Sequence, residues 1–89
     1  LLPLTVGKLN WELLGTAGVM AEVISEGQLL ASLSILHRRL EIQAEPSGSC
    51  SAAPLLAARS GASLAGGTHV AVVSGGNVSS ERLARLLSP

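Results

Sequence analysis

Two short stretches hold most of the side chains that could do chemistry. Ser74-Gly75-Gly76-Asn77 follows the valine-rich run His69-Val70-Ala71-Val72-Val73. A hydroxyl at the tip of such a run, followed by two residues without a Cβ, lets a ligand or a second backbone approach closely. The amides of such a turn can also cradle an anion. A tight turn of this kind more often serves geometry alone, so the stretch is weak by itself. The second stretch is Glu45-Pro46-Ser47-Gly48. Pro46 biases Glu45 away from the helical region and so sets the direction of its carboxylate. In largely apolar surroundings that carboxylate reads equally as a solvated loop residue or as a functional acid. Cys50 has no base near it in sequence and reads as a small buried hydrophobe. His37 and His69 lack carboxylates or cysteines at metal-ligand spacing, so no metal site is expected. There is no phosphate-binding P-loop and no dinucleotide fingerprint.

The elements that would carry these groups follow from the apolar pattern. Residues 1–7 are irregular, and a short helix is expected from Lys8 to Leu14. Ala21-Glu22-Val23-Ile24 reads as a short strand. Ser25-Glu26-Gly27-Gln28 has the spacing of a capping box, and Leu29, Leu33, Leu36 and Leu40 fall on one helical stripe behind it. His37, Arg38 and Arg39 suit the negative end of that helix, and the preferred reading is a solvated helix end. Glu41 to Ala44 form an extended link. A helix follows from about Ser49 to Arg59, where Pro54 forces either a late start near Ser51 or a kink. Gly61 to Gly67 make a loose loop. His69 to Ser74 reads as the clearest strand, continuously apolar as in a parallel strand covered on both faces. Ser79-Ser80-Glu81 opens a last helix carrying Leu83, Leu86 and Leu87. The alternation of helices and short strands predicts an α/β architecture.

Composition narrows the setting. The 89 residues make one domain at most; 47% are hydrophobic and only 13% are charged. So few charges cover a small free-standing domain poorly, and the expectation is a piece of a larger catalytic domain whose remainder covers the apolar surface. A first residue of Leu agrees with an incomplete chain. Six basic and six acidic residues cancel, which leaves no footprint for nucleic acid or an anionic membrane. No apolar run approaches the ~20 residues of a transmembrane helix, and no basic leader precedes an apolar stretch. A single cysteine cannot form an internal disulfide and fits the cytoplasm.

Taken together and in order, Val23-Ile24-Ser25-Glu26, the Leu-striped helix, Glu45-Pro46-Ser47-Gly48 and Val70-Ala71-Val72-Val73-Ser74-Gly75-Gly76-Asn77 resemble the end of the catalytic domain of the serine/threonine dehydratases. That family has the fold of the tryptophan synthase β-subunit and includes threonine ammonia-lyases and serine racemases. The likeness spans roughly residues 7–83, and the paired motifs at this separation are more specific than either alone. It implies pyridoxal 5'-phosphate as cofactor and a fragment of a three-layer catalytic domain. Ser74 matches the serine that hydrogen-bonds the pyridine nitrogen. Glu45 matches a glutamate near the same edge of the ring, and Gly75 and Gly76 match the turn that shapes this wall. The implied activity is dehydration and deamination of L-threonine or L-serine to a 2-oxo acid and ammonia. A racemase, another hydroxy-amino-acid dehydratase of the same fold, or a non-catalytic remnant or interaction module are the alternatives. The implied partners are the amino-acid substrate, the rest of the catalytic domain and, at full length, further copies in a homo-oligomer. The Ser-x-Lys segment, the phosphate loop and the substrate-carboxylate loop of the family are missing from these residues, and Lys8 lies in the wrong context, so the 89 residues alone are expected to be inert.

Overall fold

The computed structural model describes residues 4–58 and 66–88. Among the described residues there are five helices: α1 (Lys8–Thr16), α2 (Glu26–Leu40), α3 (Pro46–Ser49), α4 (Ala52–Ala58) and α5 (Ser80–Leu86). The longest is α2, and its start is set by sequence chemistry. Ser25 Oγ accepts from the Gln28 N–H at 3.2 Å, while Gln28 Oε1 accepts from the Ser25 N–H at 2.8 Å. Both arms of the capping box are therefore closed, satisfying donors that a helix start otherwise leaves open. At the other end Glu41 turns left-handed at φ 56°, and the Ile42 N–H closes back on the Leu36 carbonyl at 2.9 Å.

The core lies between α2, the α3–α4 region and the segment leading into α5. Leu33, Leu36, Ala44, Ala52, Val78 and Leu83 form it, with Leu56, Ala71, Val73, Leu86 and Leu87 packed on its margin. Each fully buried leucine contributes roughly 1.5–3 kcal/mol of transfer free energy. The leucine stripe holds only in its middle: Leu33 and Leu36 are buried, Leu29 is half-buried and Leu40 is 57% exposed. Leu40 overhangs the core because the chain reverses directly after it. Beyond the stripe, the Arg38 guanidinium donates to the Leu87 carbonyl at 3.0 Å, so one cation of the expected solvated run joins the ends of α2 and α5. A buried Ser32 adds a second link, its hydroxyl donating to the Ser49 carbonyl at 3.0 Å.

The α/β expectation, and with it the three-layer picture, is overturned. Among the described residues there is no strand, and the architecture is helical with long irregular connections. Ala21 to Ile24 and His69 to Ser74 run without helix or ladder. The physical reason is that a strand exists only through a partner backbone. Around residues 69–74 the bonds go elsewhere: Ser74 N–H donates to the Gly48 carbonyl, and the Val72 carbonyl accepts from Ser51 Oγ. Nor is the valine-rich run covered on both faces. Ala71 and Val73 pack against the core, while Val70 and Val72 are 83% and 74% exposed.

The expected helix from Ser49 is instead two. Pro46 starts α3 at its first position, where a missing N–H leaves nothing unsatisfied. The chain then turns through Cys50 and Ser51 before α4 begins at Ala52. Pro54 falls in the first turn of α4, among the positions whose N–H groups have no intrahelical acceptor, which settles in favour of a late start. The Arg59 end of that helix and most of the Gly61–Gly67 loop lie outside the described residues. Helix α1 extends to Thr16 but buries none of its residues; Leu9, Trp11 and Leu13 stay exposed.

Candidate functional site

The two motifs are separated by almost thirty positions in sequence, and the structure locks them together. Glu45 takes an extended backbone, φ −77° and ψ 159°, as its place before Pro46 predicts. In that pose its N–H donates to the Gly75 carbonyl at 2.9 Å. One helical turn on, the Gly48 carbonyl accepts from the Ser74 N–H at 3.3 Å. Ser51 Oγ then donates to the Val72 carbonyl at 2.5 Å, and Gln43 Nε2 donates to the Val78 carbonyl at 2.6 Å. The Ser74–Asn77 turn is thus held from both sides by residues 43–51.

Gly75 sits at φ +76°, in the left-handed region that favours glycine. The Glu45 carboxyl lies over it, in the space that a Cβ at Gly75 would occupy. Gly76 has no such demand; its nearest neighbour in that direction is the Gln43 carbonyl oxygen at 3.3 Å. Gly48 is constrained differently. It is buried within α3, and a Cβ there would land on the Ser74 carbonyl. Glu45 is half-buried, whereas Ser74 and Asn77 are exposed. The Ser74 hydroxyl makes no hydrogen bond to another described residue. The site therefore presents an exposed serine whose hydroxyl bonds no other described residue, a carboxyl folded over the adjoining glycine, and a backbone pinned by residues 43–51.

That donor set fits the edge of a pyridine ring. A ring nitrogen needs one donor at the rim, which the exposed Ser74 can offer, while the space that Gly75 leaves free is taken by the Glu45 carboxyl. A hydroxyl is too weak an acid to protonate such a nitrogen, in contrast to the aspartate that some pyridoxal-phosphate enzymes use.

The other candidates are placed apart from this site or recede. Cys50 is half-buried, its thiol directed at the Pro46 carbonyl at 3.7 Å. Lys8 is exposed at the start of α1. No group of three or more His, Cys, Asp or Glu residues that could hold a metal occurs among the described residues. An open cleft of roughly 340 Å³ between α2 and α4 is lined by small and aliphatic residues such as Ala31, Ile35, Ala53 and Leu56. It contains none of the expected site residues and no ionisable group to do chemistry. Sequence reasoning missed Gln43, Gly48 and Ser51 as parts of the site; Gly48 stood inside a motif but carried no sign of the close approach it makes. No helix among the described residues is long and apolar enough to cross a membrane. Comparison of the chain with known families, characterised sequences and solved structures gives no significant match.

Proposed function

We propose that these residues are part of a cytoplasmic, pyridoxal-phosphate-dependent ammonia-lyase resembling the serine/threonine dehydratases. Their contribution is the wall that holds the cofactor's pyridine nitrogen. The observation that carries the reading is the clasp between the two motifs. Glu45 and Gly48 bind the backbone of Gly75 and Ser74, leaving the Ser74 hydroxyl exposed beside a glycine in the left-handed conformation.

Bound pyridoxal phosphate would supply an electron-withdrawing ring that eases loss of the substrate's α-proton and β-hydroxyl. Ser74 would donate its hydroxyl hydrogen to the ring nitrogen and hold that atom unprotonated, which moderates the pull of the ring. A moderated pull favours prompt expulsion of the β-hydroxyl over prolonged carbanion chemistry. Glu45, folded over Gly75, would flank the same ring edge and exclude water from it. Gly75, lacking a Cβ, gives the Glu45 carboxyl its place beside Ser74. The overall reaction converts L-threonine or L-serine into a 2-oxo acid and ammonia, the water lost in elimination being returned in the final hydrolysis. We assign the lysine that joins the cofactor, and the loops for its phosphate and for the substrate carboxylate, to polypeptide outside these residues.

The test is made on the enzyme that contains this segment. It should form 2-oxo acid and ammonia from L-threonine or L-serine when loaded with cofactor, and the 89 residues alone should form none. Ser74→Ala should leave the circular dichroism intact, weaken cofactor binding and slow the elimination. Unchanged turnover and unchanged visible absorbance of the bound cofactor in that variant would refute the role of Ser74.

A further inference from the structure

We infer that the turn carrying Gly48 and Ser51 is the positioning device for the Ser74 hydroxyl, setting how far the tip of the 69–74 segment stands from a bound ring. The inference rests on the reading of Ser74 given above. Local chemistry would place an alanine at position 48. Gly48 lies in α3 without a positive φ, where Ala is favoured over Gly by about 1 kcal/mol. The close approach of Ser74 reverses that preference. What a Cβ on Gly48 would meet is the carbonyl carbon and oxygen of Ser74, which are backbone and cannot swing aside as a side chain can. To admit it, the Ser74 backbone must retreat by about 2 Å, far more than a hydrogen bond tolerates without breaking. The same carbonyl–amide contact, Ser74 N–H to Gly48 O at 3.3 Å, would open with the retreat. Ser51 fixes the neighbouring point, its hydroxyl bonded to the Val72 carbonyl at 2.5 Å. Gly48 and Ser51 thus act through Ser74 and need not touch the cofactor.

The discriminating probe is a pair of cofactors: pyridoxal phosphate, and its analogue in which C–H replaces the ring nitrogen. In the full enzyme the natural cofactor should bind more tightly than the analogue by roughly three- to tenfold, the worth of one hydrogen bond. Ser74→Ala should bring the ratio of the two dissociation constants close to one. Gly48→Ala should do the same while retaining the helical circular dichroism. A purely structural role would weaken both cofactors equally and keep the ratio, and that result overturns the inference. If Gly48→Ala does not fold, Ser51→Ala is read in the same way: a ratio falling toward one supports the positioning role, and an unchanged ratio overturns it. Failure of the underlying reading looks different. There the unsubstituted enzyme shows no preference between the cofactors, or Ser74→Ala keeps it, and the positioning role falls with it.

Discussion

Gly75 and Gly76 are adjacent and identical in sequence, yet the structure asks very different things of them. Gly75 has φ +76°, and Gly76 is not in the left-handed region. An L-residue forced into the left-handed region loses roughly 1–2 kcal/mol. The Cβ of an alanine at position 75 would also meet the Glu45 carboxyl, but that group ends a flexible side chain and can rotate toward water. The backbone term therefore dominates, and Gly75→Ala should destabilise the chain by about 2 kcal/mol. Gly76→Ala meets only the Gln43 carbonyl oxygen at 3.3 Å, a contact that a shift of a few tenths of an ångström relieves. Its cost should stay below about 1 kcal/mol. Asn tolerates the left-handed region better than Ala, so Gly75→Asn should fall between Gly and Ala despite its larger side chain. Urea unfolding followed by circular dichroism at fixed pH measures all three. Equal costs at the two glycines, or Asn worse than Ala at position 75, would show that the turn is not built as described.

Other consequences are simpler. Leu33→Ala removes a side chain with no exposed surface from the centre of the core and should cost about 3–5 kcal/mol by the same unfolding assay. The like change at Leu13, 59% exposed on a helix that buries nothing, should alter stability by less than about 0.5 kcal/mol. Ser25→Ala opens the capping box of α2 and should cost about 1 kcal/mol, with a matching loss of helical signal before the main transition. The Glu81 carboxyl is held below the ordinary carboxylate range, first by its own backbone N–H and then by the Ser79 hydroxyl. Because the folded state lowers this affinity for protons, the contribution is present above the unfolded value and is lost as pH falls through the folded one. Glu81→Gln should therefore remove part of the acid-induced decline in stability and leave the neutral-pH curve nearly parallel; an unaltered acid limb would contradict this.

The parts legible in the sequence are those fixed by neighbours a few residues apart. The capping box at Ser25 and Gln28 closes as its spacing predicts. Pro46 extends Glu45, and Ser79 caps α5 by accepting from the Arg82 N–H. That the expected strands do not form was not legible, because composition shows that Val70–Val73 suits an extended backbone but says nothing of whether a second backbone lies beside it. Here the carbonyl of Val72 and the amide of Ser74 bond to Ser51 and Gly48 instead. At the site, Glu45, Ser74 and Gly75 were visible as types that chemistry could use. Their supports were not, since Gly48 is required by an atom of a residue far along the chain and Gln43 reaches Val78, 35 positions on. Close approach leaves no local trace beyond the glycine itself.

In the proposed function the Ser74 hydroxyl holds the pyridine nitrogen and keeps it unprotonated. Nitrogen-15 magnetic resonance of the full enzyme, loaded with pyridoxal phosphate labelled at that ring atom, reads this directly. The expected resonance lies in the range of a neutral, hydrogen-bonded pyridine and is displaced when Ser74 is replaced by alanine. A protonated nitrogen, or a resonance indifferent to that substitution, would contradict it.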